Sequence, residues 1–115
     1  MKGKTKITGN KGEDQAAAFL MQKGYRIIAK NYRHKRGEID LIARIKDIYV
    51  FVEVKTRKNM HFGPPEAFVT KGQQKQILAV ADEFTFQHQW EGMIRFDIIS
   101  IIPGQEIVHI EDAFY

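Results

Sequence analysis

At 115 residues, 43% hydrophobic and 28% charged, the chain is sized for one globular domain and fits neither a two-domain nor a disordered reading. It has no cysteine, which excludes disulfide staples, thiolate zinc sites, iron–sulfur clusters and cysteine nucleophiles together. No apolar run approaches the roughly 18 residues of a spanning helix, and the basic start at Met1–Lys6 has no apolar stretch behind it to form a signal peptide. A cytoplasmic protein with a single packed core, and no membrane association, is the expectation.

Charge is distributed unevenly. Residues 1–36 carry ten Lys or Arg against two acids, and residues 37–115 carry eight against twelve, for a net +4. Clustered bases gain affinity for polyanions by releasing counterions, so nucleic acid is the indicated partner; a basic tail beside a solvated face is the bland alternative.

In chain order, residues 1–8 read as a flexible basic tail. Gly12-Glu13-Asp14 opens a first helix with acids in its first turn, strong helix formers after them and Gly24 as a stop. Glu13 shares a face with Ala16, Ala17 and Leu20, so the inward side carries one carboxylate at its start. Three strands follow near 25–32, 38–45 and 48–56, rich in Ile, Val, Tyr and Phe, as a meander. Gly63-Pro64-Pro65 punctuates the chain. Thr70-Lys71-Gly72-Gln73 has capping-box spacing ahead of the helical stripe Ile77, Leu78, Ala81 and Phe84. An apolar strand at 94–102, a turn at Pro103-Gly104 and a short strand at 106–110 complete the order αβββαββ, an α/β fold with a mixed β-sheet flanked by helices.

A hairpin about Lys46-Asp47 pairs positions whose numbers sum to 93, which sets Asp40 opposite Glu53 and Glu38 opposite Lys55. Two carboxylates about 5 Å apart across strands repel, and a divalent cation would resolve that. Glu53 and Lys55 project to one side with Tyr49 and Phe51, which places a polar cluster at one end of an otherwise apolar strand. Two carboxylates and the Val54 carbonyl suit Mg²⁺, with Mn²⁺ as a substitute, and Glu13 could complete the shell. In phosphodiester hydrolysis such a metal activates water and neutralises developing charge, while Lys55 holds the phosphate or the attacking hydroxide. The competing structural reading makes Glu38–Lys55 an ordinary ion pair, with Asp40 and Glu53 facing solvent.

Gly37-Glu38-Ile39-Asp40 followed by Val52-Glu53-Val54-Lys55 resembles the second and third motifs of the PD-(D/E)xK nuclease superfamily. Within it the chain is similar to the YraN family of small bacterial proteins over nearly its whole length, including Gly12-Glu13, Gly24-Tyr25, Asn31-Tyr32-Arg33, Gly63, Lys71 and Arg95-Phe96-Asp97. The resemblance implies a restriction-endonuclease-like core like that of archaeal Holliday junction resolvases. It also implies a Mg²⁺-dependent endonuclease acting on DNA, branched DNA included, with catalytic Glu13, Asp40, Glu53 and Lys55. Ile39 stands where the superfamily name has proline, a position that is not a ligand.

Arg33, Lys35 and Arg36, in a loop with His34, together with Arg57, Lys71 and Lys75, are the candidate nucleic-acid contacts, reading phosphate rather than sequence. Symmetric cutting of a junction would call for a homodimer. Two rivals stand beside the nuclease: a non-catalytic nucleic-acid-binding or scaffold protein that keeps the fold, and an RNA-directed role. His34, His61, His88 and His109 show no zinc spacing and read as surface residues. Trp90 reads as a cap on the core, and Asp97 as a structural hydrogen-bonding residue.

Overall fold

The computed structural model describes residues 11–58 and 69–115. The basic tail, His61 and the Gly63-Pro64-Pro65 punctuation lie outside the described residues. Helix α1 (Lys11–Gln22) is followed by strands β1 (Arg26–His34), β2 (Gly37–Ile45) and β3 (Ile48–Thr56), helix α2 (Lys71–Gln87), and strands β4 (Met93–Ile101) and β5 (Val108–Ile110). The expected order αβββαββ is what these residues form. The five strands make one mixed sheet in the order β1-β2-β3-β4-β5: β1, β2 and β3 are an antiparallel meander, β4 runs parallel to β3, and β5 returns antiparallel.

The strands alternate their side chains between two cores. Tyr49, Phe51, Phe96 and Ile98 pack beneath α2 against Ile77, Val80, Ala81 and Phe84, while Val50, Val52, Ile99 and Ile101 meet Ala16, Ala17 and Leu20 of α1. One helix on each face explains why β3 is apolar on both sides as far as Val52. Phe84 is the hub of the α2 side, edge-on to Tyr32, Tyr49 and Phe51 at ring distances of 5.4, 5.2 and 5.8 Å. Trp90 closes this core: its ring stands perpendicular to Tyr49 at 4.9 Å and its indole N–H donates to the Met93 carbonyl.

Two parts of the sequence reading need correction. The Arg33–Arg36 segment is not a loop, because Arg33 and His34 end β1 and only Lys35-Arg36 turn, with Lys35 at φ 56°. A two-residue hairpin turn needs left-handed backbone, and a lysine supplies it here without glycine. His109 is not a surface residue, since its side chain is 3% exposed. It lies on β5 and bonds Asp97 Oδ2 at 2.7 Å, and Asp97 also accepts two bonds from Arg95 and the Asp112 N–H. Asp97 is therefore the structural hub expected of it. His88, at the C-terminus of α2, is exposed as expected, with its ring stacked 3.9 Å over Phe84.

Candidate active site

The β2–β3 hairpin has the expected register: Ile45↔Ile48, Arg44↔Tyr49, Ala43↔Val50, Ile42↔Phe51 and Leu41↔Val52 all sum to 93. Lys46 takes φ 52° at the turn. The pairing stops at Leu41↔Val52, before the acids. Ile39 packs with Ile42 under α2, whereas Leu41 packs with Ala43 on the α1 side, so the two-residue alternation slips by one at Asp40. Opposite the slip, Asn31 of β1 has φ 52°. The expected facing pairs Asp40–Glu53 and Glu38–Lys55 are thus not ladder pairs. Instead the Asp40 carboxylate turns into the opened end of the hairpin and its Oδ2 accepts the Val54 N–H at 2.7 Å. On an extended strand a residue's N–H and C=O project to the same edge, so the Val54 carbonyl looks toward the same gap.

Glu53 and Lys55 project to the α2 side, as Tyr49 and Phe51 do. Glu53 is only 7% exposed. Its Oε2 accepts from Gln73 Nε2 at 2.7 Å and has Lys55 Nζ at 3.9 Å. Its Oε1 is buried and, as a carboxylate oxygen, finds no donor. Glu13 enters from the other face. The first turn of α1 lies directly on the end of β3, so close that a side chain at Gly12 would meet Thr56 Oγ1 at 2.6 Å. Glu13 Oε1 is likewise buried without a donor.

The electrostatics follow from this crowding. Burial pushes Glu53 up from an ordinary 4.5 to about 8, aided by the Asp40 and Glu38 charges and opposed by Lys55 and the Gln73 amide. Glu13 rises to about 7, first through burial and then through Asp40, Glu38 and Asp14, against Lys30. Asp40 is also raised, by burial first, although the Val54 N–H, Lys55 and hydrogen bonding with Glu53 oppose the rise and Glu38 adds to it. Asp40 and Glu53 behave as one pair that retains a proton where isolated carboxyls would have lost it.

Such a pocket is short of positive charge and composed of hard oxygen donors, which fits a divalent cation. Among the described residues, no three His, Asp or Glu side chains already close on a common point. Asp40, Glu53 and the Val54 carbonyl would hold the ion, with Glu13 behind them; Mg²⁺ commonly takes few protein ligands. The structure therefore brings together Glu13, Asp40, Glu53, Val54 and Lys55, and separates Glu38 from Lys55, since Glu38 pairs with Arg33 at 3.4 Å.

Sequence reasoning missed two participants. Gln73 is the third residue of the Thr70-capped turn, where its backbone N–H donates to Thr70 Oγ1. A capping box would send its side chain back to the cap, yet the amide bonds Glu53 instead. Glu38, read only as an ion-pair partner, adds its charge to all three acids.

The candidate phosphate contacts fall beside this site. A side chain at Gly37 would meet Val80 Cγ2 at 2.5 Å and the Gln76 carbonyl oxygen at 3.0 Å, so the Lys35-Arg36 turn is pressed against the middle of α2. Arg33, Lys35, Arg36, Lys71 and Lys75 are exposed, whereas Arg57 is half-buried, its N–H donating to the Ile101 carbonyl.

Comparison with known proteins places the chain in a family. Residues 12–101 match the model of the uncharacterised protein family UPF0102. Relatives named only as UPF0102 proteins include one from Chloroherpeton thalassium, 42% identical over 118 aligned residues covering 92% of both chains. One from Cytophaga hutchinsonii is 44% identical, covering 91% of this chain and 93% of the relative, and one from Geobacter metallireducens is 44% identical, covering 95% and 93%.

Proposed function

This chain belongs to the UPF0102 family, and from its own residues we propose that it is a Mg²⁺-dependent nuclease of the PD-(D/E)xK type with a restriction-endonuclease-like core, hydrolysing phosphodiester bonds in DNA. The observation that carries the proposal is the pair of acids Asp40 and Glu53 at the opened end of one hairpin beside Lys55, with Glu13 on the α1 side close enough to feel the Asp40 charge. Holding like charges together costs stability, and groups kept at such a cost cluster at functional sites.

The roles follow from position. Asp40, Glu53 and the Val54 carbonyl would hold the metal, which would supply a lowered water pKa and offset charge on the scissile phosphate. Lys55 stands 3.9 Å from Glu53, so its ammonium can meet a phosphate oxygen or the attacking hydroxide. Gln73 ties Glu53 to the first turn of α2. Glu13 lends charge from the α1 side. The phosphate backbone then runs past Lys71 and Lys75 to the Lys35-Arg36 turn, contacts that position without reading bases.

A second reading, a nucleic-acid-binding scaffold without catalysis, is favoured by one observation: one carboxylate oxygen each of Asp40 and Glu53 is already taken up within the chain. The test is a cleavage assay with linear, flapped and four-way DNA and matched RNA, with Mg²⁺, Mn²⁺ or EDTA. The nuclease reading expects metal-dependent cutting of DNA that falls about 100-fold or more in Lys55→Met. Binding without cutting in every metal would establish the scaffold, and cutting of RNA alone would reassign the substrate. Symmetric cutting of four-way DNA further expects a dimer by sedimentation.

A further inference from the structure

Helix α2 is polarised along its length. Its first turns carry Lys71 and Lys75, but from residue 76 to residue 94 the sequence has no Lys or Arg and three acids, Asp82, Glu83 and Glu91. At this far end an open groove of about 820 Å³ is lined by Asp82, Thr85, Phe86, Gln89, Trp90 and Glu91. Phe86 is 81% exposed, and Met93 and Ile94 are exposed nearby in sequence. Asp82 lies on the helix one turn before Phe86, whereas Glu83 is taken up by Gln87 and His34; the helix C-terminus adds its own partial negative charge.

The wall is built rather than loose. The Trp90 ring is fixed by its bond to the Met93 carbonyl and by Tyr49, and Arg44 lies 4.7 Å over it. Thr85 is tied back to the Ala81 and Asp82 carbonyls, each at 3.0 Å. The floor is apolar and preformed, and the two acids that line it, Asp82 and Glu91, outnumber the one cation stacked on its wall, Arg44, a lining suited to cations carried on an apolar strip rather than to phosphate.

We propose that this groove docks a basic amphipathic helix of a partner protein, its apolar residues on Phe86 and Trp90 and its Lys or Arg on Asp82 and Glu91. Helix-in-groove binding uses anchors at i, i+3 or i+4 and i+7, which span a groove of this size. A second copy docked through its own groove would set acid against acid, so charge complementarity selects a different, basic surface.

The full chain reports on this site directly, because Trp90 is its only tryptophan. The probe is an 18-residue peptide of Leu and Lys in helical spacing, with a Leu and Glu peptide of the same pattern as control. Titration is followed by Trp90 emission and by amide NMR shifts. The proposal expects saturable binding of the Lys peptide with shifts centred on residues 82–91, and a tenfold or greater loss of affinity in Phe86→Ser and in the double variant D82K/E91K. The Glu peptide should not bind, and Phe86→Ser should keep wild-type melting and DNA binding. Equal affinity in the variants, or shifts centred elsewhere, would overturn the proposal. Self-association of the chain that is abolished by Phe86→Ser would overturn it too, since the occupant would then be a second copy.

Discussion

Glu53 is an acid placed where its charge is expensive, and stability should record that. Glu53 and Glu13 ionise near 4.5 in the unfolded chain but only at about 8 and about 7 in the fold. Below pH 4.5 both are protonated in either state; as pH rises the unfolded chain releases protons that the fold retains, so stability falls until about pH 8 and then levels. Thermal unfolding without metal should therefore give a lower Tm at pH 8 than at pH 5. Glu53→Gln should melt above wild type at pH 8 and level with it near pH 4.5, and an unchanged or lower Tm at pH 8 would contradict the burial of a charged site. Asp97 is the opposite case, a buried acid whose pKa is lowered: burial works against its charge, but His109, Arg95 and the Asp112 N–H outweigh it. Asp97→Ala would strand Arg95 and leave His109 without its acceptor, and denaturant titration should show a loss of roughly 3–5 kcal/mol. The two acids were not equally legible. Asp97 was marked by its place on an apolar strand. The burial of its partner His109 was not, because a lone histidine on a three-residue edge strand leaves no periodic signal.

At the scale of elements, the hairpin was readable and its opening was not. A two-residue turn at Lys46-Asp47 fixes the register of every pair as far as Leu41↔Val52, which simple arithmetic on the sequence reproduces. Beyond that point a side chain, Asp40, replaces a backbone partner for Val54, and such a substitution depends on tertiary surroundings. Helix α2 shows the same division. Its start at Thr70 followed from the spacing of Thr70 and Gln73, but the Gln73 amide was drawn to Glu53 by a charge twenty residues away in sequence. Thr70→Ala should cost about 1 kcal/mol in chemical denaturation through loss of the cap. It should also loosen the turn that carries Gln73, so activity should fall further than Tm. Gly37→Ala drives a methyl into Val80 and the Gln76 carbonyl, and a loss of about 1–3 kcal/mol is expected.

For the whole molecule the organising feature is polarity: acids and bases meet at one end of the sheet, and an acidic apolar groove lies toward the other. Among the described residues no helix is long and apolar enough to cross a membrane. If nucleic acid follows the basic side of α2, log affinity should fall linearly with log salt. Replacing Lys35 and Arg36 by Ala should then reduce that slope by about 2 without changing preference among sequences. An unaltered slope would move the phosphate path elsewhere. Composition had indicated a polyanion partner, but no single residue could show that the turn carrying Lys35 and Arg36 is pressed on α2; that follows only from the packing of Gly37. The central claim, a cation site made by Asp40 and Glu53, is tested most directly by titrating Mn²⁺ and Mg²⁺ calorimetrically into wild type and into Asp40→Asn. Saturable binding at one site in wild type, lost in the variant while its fold persists, is the predicted result. Equal heats from the two proteins, or no binding by either, would contradict it.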